Sequence, residues 1–251
     1  MPYLQTVILG TLAGLTIFLG LPVARLQAVA RERLAFLNAV AIGVLFFLFV
    51  DILEHAIAPV DADLAAHRAG VWLLLGVLSL GFAVGLLGLV YYMQRARHAG
   101  GGSAQRLALV IAAGIGLHNF AEGLAIGTSA RAGALSLALL LIVGFGLHNA
   151  TEGFGIAAPL LGQPVSWRFL GLAGLIGGGP TFLGTLVGYR VTAEPMSVLF
   201  LALASGAIVF VIGELLAAGR KLGAPTWQGW GLTVGLLAGL LTDVLLTAVG
   251  A

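Results

Sequence analysis

Two stretches of the chain carry the same titratable pattern: Gly114-Ile-Gly-Leu-His118-Asn119-Phe-Ala-Glu122-Gly123 and Gly144-Phe-Gly-Leu-His148-Asn149-Ala-Thr-Glu152-Gly153, thirty residues apart. On a helix, residues four apart share a face, with Cβ atoms about 5–6 Å apart. An imidazole and a carboxylate so placed can hold one metal ion, because ligand–metal distances are about 2 Å. The chain has no cysteine, so nitrogen and oxygen are the only donors, which suits zinc, iron, manganese or cobalt better than Cu(I). His118, Glu122, His148 and Glu152 would together fill the shell of a first-row divalent ion, and the two carboxylates would offset its charge. For one pair alone, a structural His–Glu hydrogen bond is an equal reading. The repetition favours a shared site.

Those stretches must be held by helices in a bilayer. The chain of 251 residues is 60% hydrophobic and only 9% charged, with mean hydropathy +1.08, far from the ~25% charge of soluble domains. Ionisable groups in such surroundings are costly and mark function by default. The hydropathy predicts an all-α, polytopic membrane protein, one transmembrane domain over 1–251. Its eight spans are placed near 3–24, 36–58, 70–94, 105–129, 132–159, 167–190, 195–218 and 228–249. Nine basic residues, Arg25, Arg31, Arg33, Arg95, Arg97, Arg106, Arg168, Arg220 and Lys221, fall in loops on one side, against three, Arg68, Arg131 and Arg190, on the other. That excess marks the cytoplasm and sets both termini outside. The 38 glycines then read as close-approach faces between helices rather than as loops. No Lys or Arg precedes the first apolar run, so the amino terminus reads as a span rather than a signal peptide, although Ala28-Val-Ala30 resembles a cleavage site. The net charge of +2 reports the inner loops and gives no nucleic-acid footprint. The expected residence is the cytoplasmic membrane of a bacterium, and assembly as a homodimer stays open.

In this topology the two motifs lie on helices of opposite direction, as an inverted repeat would place them. A weaker echo relates Gly43-x-x-x-Phe47-x-x-x-Asp51 in the second span to Gly206-x-x-x-Phe210-x-x-x-Glu214 in the seventh. Asp51 then faces the outer side and Glu214 the inner, as an entrance and an exit would. Asp51, Glu54 and His55 form a polar cluster that serves either an ion path or a solvated helix end. Glu214 is an exit ligand or a partner of Arg220 or Lys221. Asp243 is a further candidate on the outer path. Asn119 and Asn149 either orient the ligands, bind an ion weakly, or bond neighbouring helices. Gly177-Gly-Gly-Pro180 breaks or thins its helix. The polar stretch with Asp61, Asp63, His67 and Arg68 reads as a solvated outer loop, with metal collection by Asp61, Asp63 and His67 as the alternative.

At the two His-Asn-x-x-Glu-Gly motifs the chain resembles the ZIP (Zrt-/Irt-like protein) family of divalent metal transporters. Support comes from Phe49-Val-Asp51-Ile-Leu-Glu54-His55-Ala56, Gly171-Leu-Ala-Gly174-Leu, and Ala204-Ser-Gly206-Ala-Ile-Val-Phe210 leading to Glu214. The resemblance implies a 3+2+3 inverted-repeat arrangement. It implies movement of zinc, or of iron, manganese, cobalt or cadmium, into the cytoplasm by elevator-type alternating access. The primary site would be His118, Glu122, His148 and Glu152, with Asn119 and Asn149 facing a second one. The divalent ion would be cargo, with no prosthetic group. Three departures stand out. Ala121 and Thr151 occupy positions where the family often has proline. Gly177 stands where some members place a glutamate, which implies one central ion rather than two. Asp51 and His55 exchange the family's usual ligand types. His98 is the only histidine of the linker after the third span, so no His-rich regulatory loop is expected. The main rival is an intramembrane metalloenzyme using the same cluster, with three ligands and a general base.

Overall fold

The computed structural model describes residues 2–25, 30–98, 104–131, 149–150, 152–190 and 193–248. Every regular element among them is helical: α1 Tyr3–Leu15, α2 Ile17–Gly20, a 3₁₀ turn Leu21–Arg25, α3 Arg31–Ala65, α4 Val71–His98 and α5 Ala104–Arg131. There follow α6, described at 149–150 and 152–157, a 3₁₀ turn Ala158–Leu160, α7 Trp167–Arg190, α8 Glu194–Leu222 and α9 Pro225–Ala248. Among the described residues, six segments are long and apolar enough to cross a membrane: Tyr3–Arg25, Arg31–Ala65, Val71–Arg95, Ala104–Thr128, Trp167–Arg190 and Glu194–Leu222. These match the expected first, second, third, fourth, sixth and seventh spans. The helix α9 falls where the eighth was expected. Most of the fifth, residues 132–148, lies outside the described residues.

Local chemistry sets the helix ends. Ser166 accepts a hydrogen bond from the Phe169 N–H at 3.2 Å and so caps α7. Gly223, at φ +63°, adopts the left-handed conformation that ends α8, and Pro225 opens α9, where its missing N–H costs nothing. The helix α3 overruns its expected limits at both ends. Asp61 and Asp63, read from the sequence as loop residues, are helical, and Asp63 is buried against the Arg68 guanidinium at 3.1 Å. Pairing that carboxylate lets the helix continue past the apolar run and through Pro59.

Glycine contacts decide which helices touch. A methyl group at Gly123 or Gly127 of α5 would strike the carbonyls of Thr181 or Thr185 in α7, and one at Gly184 or Gly188 would strike those of Phe120 or Leu124 in α5. The interlock of α3 with α9 rests on Gly43 and Gly235, and that of α4 with α8 on Gly85 and Gly206. In α1 and α7, Gly14 and Gly178 each lie on the other's carbonyl oxygen. Backbones this close gain dispersion and weak Cα–H···O contacts that lipid chains cannot supply. The result is a group in which α5 and α1 pack on α7, and a second in which α9 and α8 pack on α3 and α4 on α8, with α5 also meeting α8. The first group is also tied at its ends. Arg25 donates to the Val165 carbonyl at 2.8 Å and lies over the Trp167 ring, while Arg131 donates to the Tyr189 and Arg190 carbonyls.

Gly184→Ala is therefore expected to lower unfolding stability by about 1–3 kcal/mol through overpacking. Gly76→Ala, where nothing lies within 4 Å of the new methyl, should be neutral or stabilising by about 0.5–1 kcal/mol. Thermal unfolding in detergent compares them. Equal behaviour of the two variants would show that the α5–α7 contact does not hold the fold.

Candidate metal centre

His118 lies midway along α5, on a different side of the helix from Gly123 and Gly127, which meet α7, and Glu122 follows one turn later. Their i, i+4 spacing brings His118 Nε2 to 3.0 Å from Glu122 Oε1. Glu152, on α6, places its Oε1 3.6 Å from the same nitrogen. Two donors bound to one tetrahedral ion at about 2.0–2.1 Å lie about 3.3 Å apart, and the two observed separations bracket that value. The shorter contact by itself is also a hydrogen-bond distance. A lone intrahelical bond does not account for a second carboxylate arriving at Nε2 from a separate helix.

The cluster is closed off from solvent: His118, Glu122 and Glu152 are 3%, 4% and 2% exposed. Ile115 and Ile156, one turn away on the same helices, are fully buried and belong to the main apolar core with Ile17, which packs with Ile156 around Gly177. Carboxylates in such surroundings demand a compensating positive charge. Among the described residues no group of three or more His, Asp or Glu side chains is arranged to enclose an ion. His148, the fourth expected ligand, lies outside the described residues.

The two asparagines are fully buried and act alike. Asn119 Nδ2 donates to the Gly177 carbonyl of α7 at 3.0 Å, and Asn149 Nδ2 donates to the Ala13 carbonyl of α1 at 3.1 Å. Each acceptor directly precedes a member of the Gly14–Gly178 contact. Each also lies within a turn of a change in its helix's own bonding, although α7 runs unbroken from Trp167 to Arg190. The first span breaks at Thr16, whose hydroxyl takes the Ala13 carbonyl at 2.6 Å, and α7 carries Pro180, whose missing N–H frees the Ile176 carbonyl. That carbonyl rests on Gly116 of α5 instead. So the interhelical reading of Asn119 and Asn149 holds for their amide nitrogens. Among the described residues, Asn119 Oδ1 and Asn149 Oδ1 are buried without a hydrogen-bond partner, as is Thr181 Oγ1. Thr181 and the Ala13 carbonyl were not singled out from sequence. Only the Gly-Gly-Gly-Pro run signalled that region.

The other candidates stand apart from this cluster. Asp51 and His55 pair on one face of α3, with His55 Nδ1 3.5 Å from Asp51 Oδ1 and 2.8 Å from the Asp51 carbonyl, and Glu54 is exposed. Glu214 is half-buried in a cavity of about 330 Å³ between α4 and α8, with Gln94 and Met93. Asp243 lies on α9, and its side chain is outside the described residues. Comparison with protein-family models finds no match, and comparison with curated proteins finds no relative.

Replacing Asn119 or Asn149 by leucine removes one interhelical donor and should cost about 0.6–1.7 kcal/mol in either case. Thermal unfolding in detergent measures it. An unchanged midpoint for both would show that these amides do not tie α5 and α6 to their neighbours.

Proposed function

We propose that the chain is a transporter of divalent transition-metal ions of the ZIP type, which carries zinc, or iron, manganese, cobalt or cadmium, across the membrane into the cytoplasm. The observation that carries this reading is the convergence of Glu122 and Glu152, from two helices, on one buried nitrogen of His118. In this reading His148 completes the set. The ion exchanges its water for imidazole and carboxylate donors inside the bundle, and two carboxylates balance its charge. The burial of the cluster fits a state closed to solvent, so access requires that the helices carrying it shift relative to their neighbours.

The symmetry of the contacts supports the same reading. Asn119 binds α7 as Asn149 binds α1, the Gly14–Gly178 contact is reciprocal, and Gly43 receives α9 as Gly206 receives α4. This pattern is what an inverted repeat of eight spans in a 3+2+3 arrangement, with both termini outside, would produce. The group of α1, α5, α6 and α7 is the candidate moving body, and α3, α4, α8 and α9 the candidate frame. Asp51, Glu54 and His55 are assigned to one end of the ion path and Glu214 to the other. The bacterial cytoplasmic membrane is the proposed location.

The test is uptake of radioactive zinc into liposomes containing the purified protein. The wild type should accumulate zinc. His118→Ala, Glu122→Gln and Glu152→Gln, folded by thermal unfolding, should lose at least about tenfold of the initial rate, the lower bound seen when even an outer partner of a metal site is lost. Wild-type rates retained in all three folded variants would overturn the site. Metal binding by the wild type without uptake of any ion tried would overturn transport and favour an enzyme or a sensor.

A further inference from the structure

The outer face of the first span and α7 bears two recesses that the metal centre does not use. One is a cavity of about 370 Å³ lined by Arg25, Gln163, Pro164, Val165 and Ser166. The other is an apolar groove of about 500 Å³ between Thr11, Leu15 and Phe18 of the first span and Leu175, Gly179 and Phe182 of α7. They belong to one continuous face. On the first span, Thr11, Leu15 and Phe18 line the groove on either side of the break at Thr16, and Arg25, at the end of the 3₁₀ turn Leu21–Arg25, lies over Trp167. On α7, Trp167, Gly171, Leu175, Gly179 and Phe182 recur at steps of three and four residues, which keep residues on one side of a helix. Gly171 has nothing within 4 Å of where a side chain would begin, so the face is open between the cavity and the groove.

The chemistry of the two recesses differs as the two parts of a phospholipid differ. Arg25 uses one guanidinium nitrogen on the Val165 carbonyl and stacks at 5.1 Å on Trp167, which is 60% exposed, as an interfacial tryptophan is. Among the described residues its other N–H donors meet no acceptor, and none of the residues lining the cavity is acidic. A phosphate fits those donors, and nothing there would receive the ammonium group of a zwitterionic headgroup. From Trp167 to Leu175 is eight residues, a rise of about 12 Å. One leaflet's hydrocarbon is about 15 Å deep, so a tail rooted at Arg25 reaches the near end of the groove.

We propose that this face binds an anionic phospholipid, with its phosphate on Arg25 and one acyl chain in the groove between the first span and α7. The site is independent of the transport reading. A bound lipid would span both helices that receive the asparagines of the metal centre, and so would brace them.

The experiment uses the full-length protein stripped of lipid in detergent, with bound lipid counted by intact-complex mass spectrometry. The probes are phosphatidylglycerol, phosphatidylcholine with the same chains, and inorganic phosphate. The wild type should retain phosphatidylglycerol about fivefold better than phosphatidylcholine, and Arg25→Gln should abolish that preference, since one basic group near the surface contributes about that factor. Arg168→Gln should keep the preference, and inorganic phosphate should not compete at matched concentration. Gly171→Leu, which fills open space, should weaken both lipids while keeping their ratio; this variant carries the test if Arg25→Gln does not fold. An unchanged preference in folded Arg25→Gln, unchanged lipid binding in Gly171→Leu, or equal competition by free phosphate would each overturn the site.

Discussion

Polar groups in a bilayer interior must find partners within the protein, because neither water nor lipid supplies them. The whole arrangement around His118 answers that constraint. Two carboxylates approach one imidazole nitrogen at 3.0 and 3.6 Å, out of reach of solvent. Holding three such groups together without compensation would be costly, and a divalent cation is the compensation proposed for them. The rest of the bundle brings the helices close enough for that meeting to occur.

Close approach comes from missing side chains. The α5–α7 contact works because glycines on each helix rest on carbonyls of the other, which fixes the rotation of α5, with His118 and Glu122 on a different side from those glycines. The neighbouring helices then supply acceptors. At Thr16 and Pro180 the intrahelical ladder is altered, and the adjoining carbonyls of Ala13 and Gly177 receive the buried amides of Asn149 and Asn119. One feature solves two problems: the asparagines become partnered through nitrogen, and the helices bearing the cluster gain fixed neighbours. Their oxygens remain buried without a hydrogen-bond partner among the described residues.

Charge at the helix ends follows a different logic. Arg25, Arg131 and Arg190 hold the ends of the first group of helices through carbonyl bonds and ring stacking. Arg25 does both and still presents donors outward, which is why its cavity differs chemically from the groove that continues beyond it. At the C-terminal end of α3, burial of Asp63 by Arg68 extends the helix beyond its hydrophobic run. Hydropathy could not foresee that, because it scores each acidic residue as exposed.

Much of this was legible in the chain itself. An all-helical, membrane-embedded architecture follows from composition and span length, since an apolar run in lipid has no way to satisfy its backbone except as a helix. The His118–Glu122 pair follows from 3.6-residue periodicity alone. Glycine-rich helix faces were legible as close contacts, though not which helices they join. Tertiary structure decided the rest. It brought Glu152 to His118 from a separate helix, gave the asparagine amides to Gly177 and Ala13, made helix of Asp61 and Asp63, and lined up Arg25 with the groove. Apart from Asp61 and Asp63, where Arg68 pairs from only five residues on, these depend on residues distant in the chain. Periodicity and composition report only what a residue does within its own helix. The partner it meets across the bundle is set by how whole helix faces interlock.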